Sequence, residues 1–244
     1  MKLVIEKSVT VITPTIGTDH LKKCIDSVSK QDYTNITHLI VSDGKEFLDT
    51  VFEQCDGLSG DLEITCCPYN TGQGGFYGHR VYAAYSHLVN TDYICYLDED
   101  NWIEPNHISS LVNLIEEENL SWAHSLRKVY LENDVFLADD CCESIGRWPI
   151  WFTSNEHLVD TSSYCFRQDF IKNFASLWHS NWGGARRFFM TVKDQARYNT
   201  TGLHTLNYRL PNMTRAYGGN LDFFKTGNEE IKKKYGGNYP WKKT

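Results

Sequence analysis

The sequence predicts an α/β fold with a mostly parallel sheet and helices on both faces. Three observations carry that expectation. Short apolar runs of strand length alternate with segments of helical spacing through the first half of the chain. The order is βαβαβαβ, which in one sheet requires right-handed crossovers and parallel strands. Three runs end at or just before polar groups suited to a ligand: Thr13-Pro14-Thr15, Asp43-Gly44 and Asp98-Glu99-Asp100. In an open α/β sheet the ligand crevice lies at the carboxyl ends of the strands.

Each element has its own signal. Val9 to Thr13 reads as a buried strand ending at Pro14, and Leu21, Ile25 and Val28 follow at helical spacing, with Asp19 as a candidate N-cap. His38 to Ser42 is a second strand, stopped by Asp43-Gly44, and Glu46 to Gln54 suits a short helix. Leu62 to Cys66 is a third strand, followed by a glycine-rich loop from Asn70 to Gly78. Val81, Ala84, Tyr85 and Leu88 share one helical face and lead into the apolar strand Tyr93 to Leu97. Pro105 then opens a helix carrying Ile108, Leu111, Val112 and Ile115.

The second half reads differently. Ser121 to Tyr130 and Val135 to Ala138 predict a hairpin across Glu132-Asn133-Asp134. A strand is expected over Thr161 to Phe166, helices near Arg167 to Leu177 and Gly184 to Tyr198, and a last strand over Thr205 to Leu210. Residues 1–120 thus form one half of a single domain, 121–210 a second half on the same sheet, and 211–244 an irregular tail.

Composition narrows the function classes. A chain of 244 residues, 41% of them hydrophobic, can bury a substantial core. With 24 basic against 31 acidic residues the net charge is −7, which argues against a general polyanion-binding surface. The amino terminus lacks a signal-peptide pattern, and no run approaches the roughly 18 apolar residues of a membrane span, so a cytoplasmic location is expected. The eight cysteines form no Cys-x-x-Cys and are expected to be reduced thiols. None of the nine histidines has metal-site spacing.

Asp98-Glu99-Asp100 is the most informative feature. Three carboxylates at a strand end repel one another and lose hydration, and a divalent cation with hard oxygen ligands relieves both. The competing reading is a solvated acidic turn, and the ligand groups on the two earlier strands weigh against it.

Together these residues resemble a family-2 glycosyltransferase of the GT-A fold, with a Rossmann-like sheet and a smaller mixed acceptor-side region. The resemblance covers approximately residues 8–120. It rests on Val9 to Thr15, Val41-Ser42-Asp43-Gly44, Asn70-Thr71-Gly72, His79-Arg80 and Asp98-Glu99-Asp100, in that order. It implies an enzyme that moves a sugar from a nucleotide-diphosphate donor to an acceptor hydroxyl, with inversion at the anomeric carbon. Residues 1–120 would bind the nucleotide sugar and 121–210 the acceptor. Asp100 would be the main ligand of Mn²⁺ or Mg²⁺, and Asp98 would bind metal or ribose. Thr13, Pro14 and Thr15 would line the base pocket, and Asp43 would meet the base or ribose. Arg80 would offer forked donors to phosphate or base, while Asn70 and Gly72 would let the loop backbone approach the donor.

An inverting transfer needs a general base. Many family members carry it as an acid beginning a late helix, whereas here Gly183-Gly184-Ala185-Arg186-Arg187-Phe188-Phe189 holds none. Asp194 is the first candidate, with Asp160 and Glu143 behind it, and a surface pairing of Asp194 with Arg197 is the competing reading. Trp148, Trp151, Trp178 and Trp182 could stack on sugars or belong to the core. The expected donor is a uridine or thymidine diphosphate sugar. The expected acceptor is a glycan or another hydroxyl compound, with a nucleic-acid acceptor left open. Two other functions remain: a non-catalytic nucleotide-sugar or glycan-binding module, and a Mg²⁺-dependent phosphohydrolase using Asp98 as nucleophile.

Overall fold

The computed structural model describes residues 6–210 and 221–242. In chain order its elements are β1 (Val9–Thr15), α1 (Leu21–Ser29), β2 (Ile36–Ser42), α2 (Leu48–Cys55), β3 (Leu62–Cys66), α3 (His79–Leu88), β4 (Tyr93–Tyr96) and β5 (Trp102–Ile103). They continue as α4 (His107–Glu118), β6 (Trp122–Tyr130), β7 (Phe136–Asp139), β8 (Tyr164–Arg167), α5 (Gln168–Ile171), α6 (Gly184–Val192), β9 (Tyr198–Arg209) and α7 (Leu221–Tyr235). The strands form one sheet in the order β3-β2-β1-β4-β8-β6-β9-β5, with β7 on the side of β6.

The pairing explains the two halves. β3, β2, β1 and β4 are all parallel, so β1, β2 and β4 bring their carboxyl ends to the same edge. From β8 onward the sheet is mixed: β8 runs antiparallel to both β4 and β6, and β9 lies parallel to β6.

Alternation along the strands fills two core layers. Val9 and Val11 of β1 and Cys95 of β4 face one layer, with Ile108, Leu111, Val112 and Ile115 of α4. Ile12, Ile94 and Tyr96 face the other, with Val81 and Tyr82 of α3 and Phe188 and Phe189 of α6. The second layer is strongly aromatic. Trp178 is buried and stacks on Phe188 at 4.1 Å between ring centroids, and Trp122 stacks on Tyr198 at 4.0 Å. Burying a side chain of this size contributes about 1.5–3 kcal/mol, so both rings belong to the fold.

Four expectations are corrected. Residues 211–244 are not simply an irregular tail: 211–220 lie outside the described residues, but α7 spans Leu221–Tyr235. Its buried Phe224 and Ile231, at helical spacing, pack with Trp241 against Leu126, Val129, Cys141 and Cys142. Lysines 232–234 on the outer face obscured that spacing. The expected helix over Arg167 to Leu177 is broken into the end of β8, the single turn α5 and a 3-10 turn at Ala175–Trp178. The helix expected to reach Tyr198 stops at Val192, and Tyr198 opens β9. β9 begins seven residues before the expected Thr205, because its polar start is held by β6 through a ladder with two register shifts. All eight cysteines carry free thiols, and no helix of the described residues is long and apolar enough to cross a membrane.

Candidate active site

At the carboxyl ends of β1, β2 and β4 a cleft of about 800 Å³ opens, a size that suits a small organic ligand. Pro14, Thr15, Asp43 and Asp98 to Asp100 line it from the parallel half. Arg127, Glu143, Asp160, Tyr208, Arg209 and the start of α6 line it from the mixed half. The three strand-end groups picked out in the sequence therefore meet at one cavity.

Asp43 is buried and fully engaged. Its Oδ1 accepts hydrogen bonds from the Thr71 amide (2.8 Å) and hydroxyl (2.7 Å), and its Oδ2 from the Gly72 amide (2.9 Å). Asn70 Oδ1 also accepts from the Gly72 amide at 2.9 Å. The two carboxamide and carboxylate groups thus pin the glycine-rich loop against the strand end. A Cβ on Gly72 would lie 2.6 Å from the Tyr77 carbonyl oxygen and 2.9 Å from Asp43 Oδ2, so only glycine allows this approach.

Within the acidic triplet the three carboxylates have separate partners. Glu99 turns back to β1, accepting from the Thr15 hydroxyl at 2.6 Å and the Thr18 amide at 3.1 Å. Asp98 accepts from the Tyr82 hydroxyl (2.7 Å, Oδ1) and from Ser162 Oγ (3.2 Å, Oδ2). Among the described residues only its own backbone amide bonds the Asp100 carboxylate, and no basic side chain pairs with it; Arg209 Nε donates instead to the Asp100 backbone carbonyl at 3.1 Å. Burial first, and then neighbouring carboxylates, push both acids up: Asp160 raises Asp98, while Asp98 and Glu99 raise Asp100.

On the opposite side the acids surround a cation. Arg127 has a side chain only 3% exposed; it donates from Nε to Asp140 Oδ2 (2.8 Å), from Nη1 to Asp160 Oδ2 (2.6 Å) and from Nη2 to Glu143 Oε2 (2.5 Å). The planar fork of arginine lets one buried side chain hold three carboxylates. Asp140 also accepts from the amides of Cys142, Glu143 and Ser144, fixing the turn that presents Glu143. Asp160 Oδ1 accepts from the Ser162 amide at 3.0 Å, capping the 3-10 turn Thr161–Ser163.

The start of α6 closes the cleft. A Cβ on Gly184 would lie 2.7 Å from His79 Cε1, and His79 Nδ1 is bonded to the Ser180 carbonyl at 2.6 Å. The helix therefore seats against the beginning of α3, and Gly183, Gly184, Ala185, Arg186 and Arg187 line the cavity.

Several expected site residues lie elsewhere. Asp194 is removed from the site: its side chain is 73% exposed, it pairs with Lys193 at 2.7 Å, and it does not line the cleft. Its place just after α6, rather than two turns inside a longer helix, puts it in solvent. The Thr13 side chain points into the core, with Oγ1 2.9 Å from His38 Nε2, so it lines no base pocket. Arg80 holds the loop, donating to the Thr71 carbonyl at 3.1 Å with its guanidinium over the Phe76 ring, and is absent from the cleft wall. Pro14, Thr15, Asp43, Asn70, Gly72, Asp98, Asp100 and Asp160 do line the cleft. Trp182 lines it as well, whereas Trp148 and Trp151 pack beside α7. Sequence reasoning missed Arg127, Arg209, Tyr82 and Ser162; a charged residue in the middle of the expected strand Ser121 to Tyr130 was the available signal for Arg127.

Residues 10–171 match the family model for glycosyl transferase family 2, more than half of the chain. The chain belongs to glycosyl transferase family 2. Over 116 residues this family-2 member is 27% identical to glycosyltransferase GlyA of Streptococcus pneumoniae, a match covering 47% of this chain and 16% of that one. Among solved structures it resembles S. aureus TarS 1-349 in complex with UDP-GlcNAc, with a TM-score of 0.62 and 16% identity over 92% of this chain and 66% of TarS 1-349. Against TarS 1-349 in complex with UDP the TM-score is 0.60, at 15% identity over 83% of this chain and 60% of the other. At such identities the likeness shows the fold, a GT-A type α/β architecture. The chain spans less than two thirds of the length of each of these three relatives.

Proposed function

We propose that this chain is an inverting glycosyltransferase that binds a nucleotide-diphosphate sugar in the cleft, with a divalent cation at Asp98 and Asp100, and transfers the sugar to an acceptor hydroxyl. The observation that carries the reading is an acid pair, paired with no basic side chain among the described residues, at the mouth of a cleft built on three parallel strand ends. Glycosyl transferase family 2 supplies the reaction class, and the complexes of TarS with UDP and UDP-GlcNAc make uridine diphosphate sugars the first donors to try.

The residues fit a shared cation better than a caged one. Among the described residues no group of three or more His, Cys, Asp or Glu side chains is arranged to hold a metal. Mg²⁺ and Mn²⁺ suit a site of one or two carboxylates completed by water and phosphate oxygens. Asp100, with no basic partner for its charge among the described residues, and Asp98, held in place by Tyr82 and Ser162, supply that donor set. A cation there would offset negative charge developing on the departing diphosphate.

The chain's own groups do the rest. Asp43 and Asn70 hold the loop that covers the donor side, with Pro14 and Thr15 forming the floor beside them. Arg209 fixes the backbone of Asp100, and Glu99 fixes the β1 end. Direct attack by the acceptor hydroxyl on the anomeric carbon, with departure of the diphosphate from the opposite face, inverts that centre.

A thermal-shift screen of UDP- and dTDP-sugars, each with and without Mn²⁺ or Mg²⁺, tests the reading. The melting temperature should rise only when nucleotide sugar and cation are both present. No rise with any nucleotide sugar, with or without cation, would overturn it.

A further inference from the structure

Direct displacement leaves one question at this site, because α6 begins without an acid. We propose that Glu143, reaching the cleft from the turn after β7, is the general base that takes the proton of the acceptor hydroxyl. The inference rests on the glycosyltransferase reading and adds to it the group that activates the acceptor.

Elimination among the cleft carboxylates leads there. Asp43 is saturated by loop amides and Thr71, and Glu99 by groups of the β1 end. Asp98 and Asp100 belong to the cation site. Asp160 has Oδ1 on the Ser162 amide and Oδ2 on Arg127, so both oxygens hold the fold together. Asp140 is fully buried and does not line the cleft.

Glu143 differs from all of these. Its Oε2 is anchored on Arg127, while Oε1 receives no hydrogen bond from any described residue and lies 3.9 Å from Arg186 Nη2. Arg186 follows Ala185 at the start of α6, so the oxygen it pairs with lies at the very helix start that holds no acid. The turn is rigid: the Glu143 amide donates to Asp140 Oδ1 at 3.0 Å, and Asp140 is tied to the same arginine. Tyr208, which also lines the cleft, is raised first by burial, and the charges of Asp160, Glu143 and Asp100 add to that rise. Burial, partly offset by Arg127, also pushes the Glu143 carboxyl upward, which strengthens it as a base.

In the step, the acceptor oxygen forms its bond to the anomeric carbon as its proton passes to Glu143 Oε1. The bond from that carbon to the diphosphate oxygen breaks, and its electron pair stays on the nucleotide diphosphate. Arg127 and Arg186 are positioning residues: they orient the carboxylate and stay protonated throughout.

The test uses the UDP-sugar giving the largest melting shift with Mn²⁺, and follows UDP release with water or simple sugars as acceptor. Glu143→Gln should bind that donor as the wild type does but release UDP at least about 10²-fold more slowly, the lower end of what a positioned base contributes. In Glu143→Ala, azide should restore release and yield a glycosyl azide of inverted configuration, because azide attacks without losing a proton. Asp160→Ala should not be rescued. The proposal is overturned if Glu143→Gln keeps release within about threefold of wild type. Donor binding without azide rescue in Glu143→Ala overturns it too. So does a wild type that binds donor yet releases no UDP, which would favour a non-catalytic module. A wild type that binds no nucleotide sugar defeats the donor reading itself, a failure distinct from the others.

Discussion

On one wall of the cleft Asp98 and Asp100 stand side by side with no basic group on their carboxylates among the described residues, while on the other Asp140, Glu143 and Asp160 share Arg127. Both walls concentrate acids in part-buried surroundings, where an unbalanced charge costs several kcal/mol. The mixed half solves the problem within the chain: Arg127 holds Asp140 and Asp160 in the fold and orients Glu143 at the cleft. Among the described residues the parallel half leaves it unsolved, which is the state expected of a wall that receives a cation together with a charged ligand. Net charge alone, at −7, says nothing of this division.

The comparison can be broken most forcefully at its buried cation. Arg127→Met should destabilise the protein by about 3–5 kcal/mol, because three carboxylates lose their common partner. Urea denaturation measures it, and a loss below about 1 kcal/mol would mean that the acids do not depend on Arg127. Gly72→Ala should cost about 1–3 kcal/mol through overpacking against the Tyr77 carbonyl and Asp43. The same variant should bind nucleotide sugar more weakly even in conditions where it is folded.

Removing an acid from the other wall should have the opposite sign. Asp100→Asn should stabilise the cation-free protein at neutral pH, since burial and the neighbouring carboxylates that raise the Asp100 pKa oppose folding with the acid ionised. The gain is pH-dependent. An acid with a raised folded-state pKa keeps its proton in the folded protein at pH values where the unfolded chain has lost it, so the stability of the wild type falls as pH rises. The advantage of the variant should therefore be absent near pH 4 and grow through neutrality, which paired melts across that range would show. The smallest effect is expected at Asp194→Asn, within about 0.5 kcal/mol of wild type in stability and unchanged in UDP release.

The parallel half was legible because its strands are apolar runs closed by strong turn residues: Leu62 to Cys66 lies where expected, and β1, β2 and β4 fall within a few residues. Its site residues announced themselves as polar groups at strand ends, except where a side chain turned inward, as Thr13 does, or sideways, as Arg80 does. The mixed half was harder to read. β9 carries Asn199, Thr200, Thr201 and Gly202 within its ladder, and its parallel partner β6 lies about 70 residues upstream, so no local pattern reveals the pairing. The Arg127 cluster joins residues 127, 140, 143 and 160 through tertiary contacts alone. An ion network of that kind has no fixed spacing, which is why the sequence places Asp194, next to a lysine after a helix end, ahead of Asp160 and Glu143 as the candidate base.

The most direct test of the account is a calorimetric titration of UDP into the wild type and into Asp100→Ala, each with Mn²⁺ and with EDTA. The account predicts tight binding only for the wild type with Mn²⁺, and a loss of at least about 10²-fold in affinity on removing either the cation or the Asp100 carboxylate. Equal affinity in all four titrations would contradict it, because the acidic wall would then hold no cation for the diphosphate.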